Sequence, residues 1–289
     1  MPKQRKVSVC LTACGEYGNW THGVFNTTKQ ALELSSWKYE FVSRSEDAND
    51  ILFYHYASTP STATSAKDRF LFCHDTQRLG PRQACLEEGY SCVANSELMR
   101  DMFYKKHGHV FDVSVVHNHP DWALGKKSSN KRSGAIWLGR VNKYTKATYL
   151  KVAQCLLEKN IPLTVVSNRI PPITKNNVLF LEKVRYCDLY DLLSQYEFGF
   201  GIGRSILDLS ACGVKSMVAG TVLGTALVNE QIASLAKTNW TGVGQTWEGT
   251  VSDLMDYAQL SRDALFETMS PKNLIREIEN MMRSKLERN

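Results

Sequence analysis

A chain of 289 residues has room for roughly two domains of about 150 residues each. Hydrophobic residues make up 43% and charged residues 22%, which excludes a wholly disordered chain, and no apolar run approaches the roughly 20 residues of a membrane helix. The net charge of +6 is mild but uneven: between Trp122 and Leu157 lie eight basic residues and no acidic one, which points to an anionic partner, a diphosphate or a polyanion, with a solvated basic linker and helix face as the alternative.

The chain starts basic, and Val7–Leu11 is too short and β-rich for a signal sequence, so it reads as a first buried strand. Further strands are expected at Tyr39–Val42, Ile51–Tyr54, Phe70–Cys73, Ser91–Ala94 and Val113–Val116. Helices are expected near Gly23–Leu34, Arg82–Glu88 and Ser96–Lys106, the last capped by Ser96 with acid in its first turn. Residues 117–133 lose all periodicity and read as an interdomain linker.

The pattern restarts with a strand at Ala135–Leu138 and a helix near Thr145–Lys159, then strands at Leu163–Val166 and Val178–Leu181. A helix near Asp188–Gln195, a strand at Phe198–Ile202, a short helix at Ser205–Cys212 and a strand at Ser216–Ala219 follow. The chain closes with a charged helix at Pro271–Leu286. Strands alternating with helices give an α/β fold of two Rossmann-like domains facing across a cleft. The expected division is 1–118, a linker over 119–133, and 134–289 with the closing helix. Eight scattered cysteines with no C-x-x-C pair suit a reducing, cytoplasmic compartment and give no zinc site or other metal site.

Ligands of parallel sheets bind at the carboxyl ends of strands. Four segments fall there. The loop after the first strand holds Gly15, Gly18, His22 and Gly23, but it is neither G-x-G-x-x-G nor a P-loop, and a turn without a ligand is its alternative. Phe70–Cys73 delivers His74 and Asp75, and His74 either contacts substrate or is a satisfied structural histidine. Gly139 ends a strand, and Arg140, Lys143 and Lys146 line the approach to the next helix, suited to neutralising a departing diphosphate. Gly199, Gly201 and Gly203 end another strand before Arg204, Ser205 and Asp208. There Ser205 is the expected N-cap and Gly213 the residue after the helix, with a structural helix bearing a surface Asp as the alternative.

Taken in order, these pieces resemble the retaining, nucleotide-sugar-dependent glycosyltransferases of GT-B fold, family 4. The resemblance lies in Val93-Ala94-Asn95-Ser96, in Val115 through Asp121, in Leu138-Gly139-Arg140 with Lys143 or Lys146, in Asn177–Leu181 with Asp188-Leu189-Tyr190, and in Gly203 through Gly213. It covers about residues 90 to 220 and, more faintly, the N-terminal third. This chain departs from the family's pattern at one point in particular: eight residues before Asp208 stands Phe200 instead of the first acid of the family's pair.

The resemblance implies sugar transfer from a UDP- or GDP-sugar to a hydroxyl acceptor, with retention and without a metal or other cofactor. Arg140 and Lys146 would hold the diphosphate, with Lys143 an alternate, and His74 would contact donor or acceptor. Gly139, Gly203, Arg204, Ser205 and Asp208 would bind the donor, Asp208 through ribose hydroxyls. Gly15, Gly18, His22 and Gly23 would lie by the phosphates or the acceptor. A polyanionic acceptor such as a hydroxymethylated DNA base suits the basic linker. Met102 to Lys106 is a candidate for peripheral membrane contact, with helix packing its alternative. The competing classes are a non-catalytic nucleotide-sugar binder and a nucleic-acid-binding protein.

Overall fold

A computed structural model describes residues 6–11, 20–42, 47–48, 50–55, 65–73, 89–110, 112–125, 131–167, 177–182 and 184–286. The chain divides into two compact units: one holds Met1–Cys14, Val24–His119 and Ser270–Asn289, the other Gly15–Gly23 and Pro120–Met269.

The first unit is built on six parallel strands, β1 (Lys6–Leu11), β2 (Lys38–Val42), β3 (Ile51–His55), β4 (Asp68–Cys73), β5 (Ser91–Ala94) and β6 (Val113–Val115), in the order β2-β1-β3-β4-β5-β6. Strands buried on both faces read as continuous apolar runs. Accordingly Val7, Val9, Leu52, Phe53 and Leu71 are almost wholly buried. Helix α1 (Trp20–Leu34) turns Val24, Thr27, Thr28, Ala31 and Leu32 inward, the i, i+3, i+4, i+7, i+8 stripe of an amphipathic helix. In α2 (Glu97–His107) the Ser96 hydroxyl accepts the Met99 amide at 3.1 Å, the cap the sequence implies. Phe103 of that helix is buried and Tyr104 stacks on His109, while Met102, Lys105 and Lys106 are exposed.

The second unit holds β7 (Ala135–Leu138), β8 (Leu163–Val166), β9 (Val178–Leu181), β10 (Phe198–Gly201), β11 (Lys215–Ala219) and β12 (Leu223–Ala226), in the order β12-β11-β10-β7-β8-β9. All pairs are parallel except β11 with β12. Around them lie α3 (Lys146–Glu158), α4 (Leu189–Leu193), α5 (Arg204–Ala211), α6 (Ile232–Lys237), α7 (Val251–Tyr257) and α8 (Arg262–Thr268). Successive side chains of a strand point to opposite faces. Ile136 therefore joins one core with Ile206, Leu209, Trp240 and Leu265, while Trp137 joins the other with Tyr149, Leu156, Phe200 and Leu254.

Three details differ from the sequence reading. The closing helix α9 (Pro271–Leu286), expected with the second half, groups with the first unit. Its Leu274, Ile278, Met281 and Met282 are buried, and Lys285 Nζ donates to the Arg69 carbonyl of β4 at 3.3 Å. Within the expected linker, residues 117–125 are ordered, and His119, Asp121 and Leu124 are buried. Residues 126–130, like the helix expected at Arg82–Glu88, lie outside the described residues. The stretch from β12 through α8 was not foreseen, because its short helices carry too few turns for a visible period.

Candidate active site

In the second sheet β8 and β9 lie to one side of β7, and β10 lies to the other. The strand order thus reverses between β7 and β10, and in open α/β sheets the carboxyl ends at such a switch point form the crevice where ligands bind. The local sequence is shaped for close approach there. At Gly201 a Cβ would stand 2.9 Å from the Leu138 carbonyl oxygen and 2.9 Å from Ser205 Cβ, so α5 meets the end of β7 only because that position is glycine. Gly139 has φ +145° and Gly203 φ +61°, both in the region that favours glycine, and a Cβ on Gly139 would lie 3.9 Å from Ser205 Oγ. The crevice thus gathers Gly139, Gly203 and Ser205. The cap of α5 is Gly203, with no side-chain bond to the first turn; Ser205, expected as the cap, stands one residue inside the helix.

The turn from Gly139 into α3 is held by its own polar groups. Asn142 Oδ1 accepts the amides of Tyr144 at 2.9 Å and Thr145 at 3.3 Å. The Thr145 hydroxyl donates to the Arg140 carbonyl at 2.8 Å, and the Val141 amide to Ser167 Oγ at the end of β8 at 3.2 Å. This bracing leaves Arg140, Lys143 and Lys146 exposed on one short turn, with Lys143 Nζ 4.9 Å over the Tyr144 ring. Three cations thus stand on a turn whose backbone is fixed, close in sequence to the glycine that ends β7.

Below the crevice, Arg204 Nε donates to Asp208 Oδ1 at 3.0 Å. Tyr186 OH donates to Asp121 Oδ2 at 2.9 Å, and Asp121 Oδ1 accepts the Ala123 amide at 3.0 Å. Burial, reinforced by Asp121 and opposed by Arg204, pushes the Asp208 carboxyl up to about 6. Asp208 is only 5% exposed and lies beneath the glycine turn. Gly23, grouped with the second unit, packs against the same guanidinium; a Cβ there would stand 2.5 Å from Nη2. Phe200, eight residues before Asp208, is fully buried in the core.

The first unit carries its own polar cluster where β6 ends. The imidazole of His117 lies between two carboxylates, with Nε2 2.9 Å from Glu97 Oε2 and Nδ1 3.0 Å from Glu277 Oε1. Its backbone amide donates to Glu277 Oε2 at 2.9 Å, and His119 Nε2 stands 3.4 Å from the same oxygen. Burial pushes the His117 ring down, but hydrogen bonds and charge from Glu277 and Glu97 outweigh it and raise its pKa. Burial likewise pushes Glu277 up, and the two histidines outweigh it, holding that carboxyl at about 2. A cavity of about 30 Å³ adjoins the cluster, lined by Thr27, Thr28, Asn95, Asn118 and His119 among others, room for a water or a hydroxyl group.

His74, Gly15 and Gly18 lie outside the described residues, as does the side chain of His22. Sequence reasoning missed Tyr186 and Glu277. Both follow the residues they bond by dozens of positions, and no local pattern marks either. Among the described residues no group of histidine, cysteine or acidic side chains could hold a metal ion, and no helix is long and apolar enough to cross a membrane.

No family model and no curated protein matches the chain. Solved structures do. HepE of Anabaena, in complex with UDP and glucose, aligns over 97% of this chain and 100% of its own at a TM-score of 0.60 with 12% identity. A glycosyltransferase from Rickettsia africae ESF-5 aligns over 99% of this chain and 100% of its own, at 0.60 and 11%. HepE in complex with UDP-glucose gives 0.60 at 13%, over 97% and 100%. The chain therefore has the GT-B fold, with two parallel-sheet α/β units.

Proposed function

We propose that this protein is a glycosyltransferase that moves a sugar from a nucleoside-diphosphate donor, a UDP-sugar, to a hydroxyl acceptor. The observation that carries the reading is the switch point between β7 and β10, where Gly139 and the amino end of α5 approach each other and Arg140, Lys143 and Lys146 follow in the next turn. The complexes of HepE with UDP and with UDP-glucose support the choice of base and diphosphate. In this reading the second unit supplies the donor site and the first the acceptor site.

In the transfer, the bond from the anomeric carbon to the diphosphate oxygen breaks, and its electron pair leaves on the diphosphate. Arg140 and Lys146 offset that growing charge, and Lys143 adds a third cation. The acceptor oxygen forms the new bond to the same carbon, and its proton passes to the departing diphosphate. Transfer with retention follows the family resemblance. Arg204 and Asp208 act from below, by fixing the first turn of α5. Six free cysteines among the described residues fit a reducing compartment.

The test is calorimetry and melting of the full chain with UDP, UDP-glucose and GDP, followed by the rate of UDP release from UDP-glucose. A melting shift with UDP and slow UDP release are expected. Absence of binding by all three nucleotides overturns the reading, and binding with no UDP release turns it into a non-catalytic binder.

A further inference from the structure

The second unit has another concavity, of about 720 Å³, between the exposed side of α3 and the segment Thr246–Ser252, with Thr221–Leu223 completing its wall. Gly139, Arg140, Lys143, Lys146 and Gly203 are not among its lining residues. Its volume falls within the range of ligand clefts. Ala147, Lys151, Gln154 and Glu158 are spaced four, three and four apart, so one stripe of α3 faces it along roughly 16 Å of helix. That length suits a chain of rings better than a single ring.

The opposite wall is built around an indole that cannot easily turn away. Trp247 stacks on Tyr257 at 5.4 Å between centroids and 25° between planes, and its Nε1–H donates to the Thr250 carbonyl at 3.0 Å. Its backbone amide is tied to the Leu223 carbonyl at 2.9 Å. A Cβ on Gly249 would come within 2.8 Å of Nε1, so that neighbour must stay small. The reciprocal cap between Thr250 and Asp253 fixes the end of the segment at the start of α7.

The chemistry of the lining is mixed in a particular way. Lys151 and Lys159 are matched by Glu158 and Glu248, so the groove has no charge preference of the kind a polyanion needs. Gln154 donates to Glu158 at 2.6 Å, which places an amide and a carboxylate side by side as a row of donors and acceptors. The half-buried Trp247 indole, packed against the core and Tyr257 but lining the groove, lies opposite such a row, and the pair matches a molecule that is apolar on its ring faces and hydroxylated around its edges. We propose that this groove binds a neutral oligosaccharide, apart from the nucleotide crevice, with the Trp247 indole against a sugar face and Lys151, Gln154 and Glu158 bonding its hydroxyls.

The proposal goes beyond sugar transfer and does not require it, since a binding protein would use the groove equally. The experiment is calorimetric titration of the full chain with maltoheptaose, cellohexaose, chitohexaose and an oligouronate, with UDP in a separate arm. One neutral oligosaccharide is expected to bind, and Trp247→Ala and Gln154→Ala to weaken it about tenfold or more. The melting shift with UDP is expected to stay the same in Gln154→Ala. Gln154 and Lys151 are exposed, so Gln154→Ala and Lys151→Ala test the groove even if Trp247→Ala fails to fold. Four results overturn the proposal: no neutral oligosaccharide binds at millimolar concentration, binding is unchanged in Gln154→Ala and Lys151→Ala, UDP displaces the sugar, or the oligouronate binds in preference. Loss of UDP binding with sugar binding retained would instead overturn the donor-site reading alone.

Discussion

Arg204 Nε and Asp208 Oδ1 lie 3.0 Å apart across one turn of α5, with their side chains 9% and 8% exposed. A buried charge left without its partner is costly, whereas a pair replaced together by apolar groups is often neutral. Asp208→Ala is therefore expected to lower unfolding free energy, by less than the about 3–5 kcal/mol of a fully orphaned charge, because Tyr186 and Asp121 still face Arg204. The double variant Arg204→Met with Asp208→Leu should recover much of that loss. Urea denaturation of the three proteins measures the difference, and a double variant as unstable as the single one would show that the pair's geometry, not its charge balance, matters.

The His117–Glu277 contact makes the stability of the first unit depend on pH in both directions. Glu277 is held below its ordinary value, so its contribution is complete above about 4.5 and disappears as pH falls toward 2. His117 is raised above 6.5, so its contribution is complete below that value and disappears as pH rises through the folded-state pKa. Stability from this cluster should peak between about pH 4.5 and 6.5. The Glu277 part is on the order of 3 kcal/mol. Melting temperature recorded against pH, compared with Glu277→Gln, checks it: the variant's profile should be flatter on both sides.

At Gly203, φ of +61° is accessible to other residues only at a cost. Gly203→Ala is expected to destabilise by about 1 kcal/mol and to weaken UDP binding more than that loss explains, since the turn would shift. Gly201→Ala should be worse, because its Cβ would meet backbone at Leu138. Denaturation and calorimetry on the same preparations separate the two effects.

Arg140→Ala is expected to reduce transfer by more than tenfold, which corresponds to about 1.4 kcal/mol of lost transition-state stabilisation. Folding should be unaffected, because the side chain is exposed. UDP release under saturating donor is the readout. Turnover near that of the unaltered protein would remove Arg140 from the mechanism.

Tyr149 OH is buried without a hydrogen-bond partner among the described residues, its ring edge-on to Trp137 at 5.3 Å. Burial pushes its pKa up to about 12. Removing an unsatisfied hydroxyl costs nothing in hydrogen bonding. Tyr149→Phe should leave the melting temperature unchanged or raise it; a drop of several degrees would mean the hydroxyl is satisfied in solution.

The amino-acid sequence determined the parts that depend on neighbours along the chain. Ala135–Leu138 and Leu163–Val166 are strands at the bounds their apolar runs imply, because a parallel strand buried on both faces needs nothing else to mark it, and the edge strand Val178–Leu181 keeps its expected bounds although Leu179 is exposed. Ser96 was legible as a cap, and Gly139 and Gly203 as special backbone positions, since each answers to a demand made within a few residues. The tertiary structure alone decided what depends on residues far apart. It places Tyr186 on Asp121, 65 positions away, and Glu277 on His117, 160 positions away. It also puts α9 in the first unit and buries Asp208 under the turn it was expected to adorn. Helical period tells which face of α9 is apolar but not which sheet will cover it, and the i, i+4 spacing of Arg204 and Asp208 predicts their meeting but not their removal from water. Burial is a property of the assembled core, and no stretch of sequence carries it by itself.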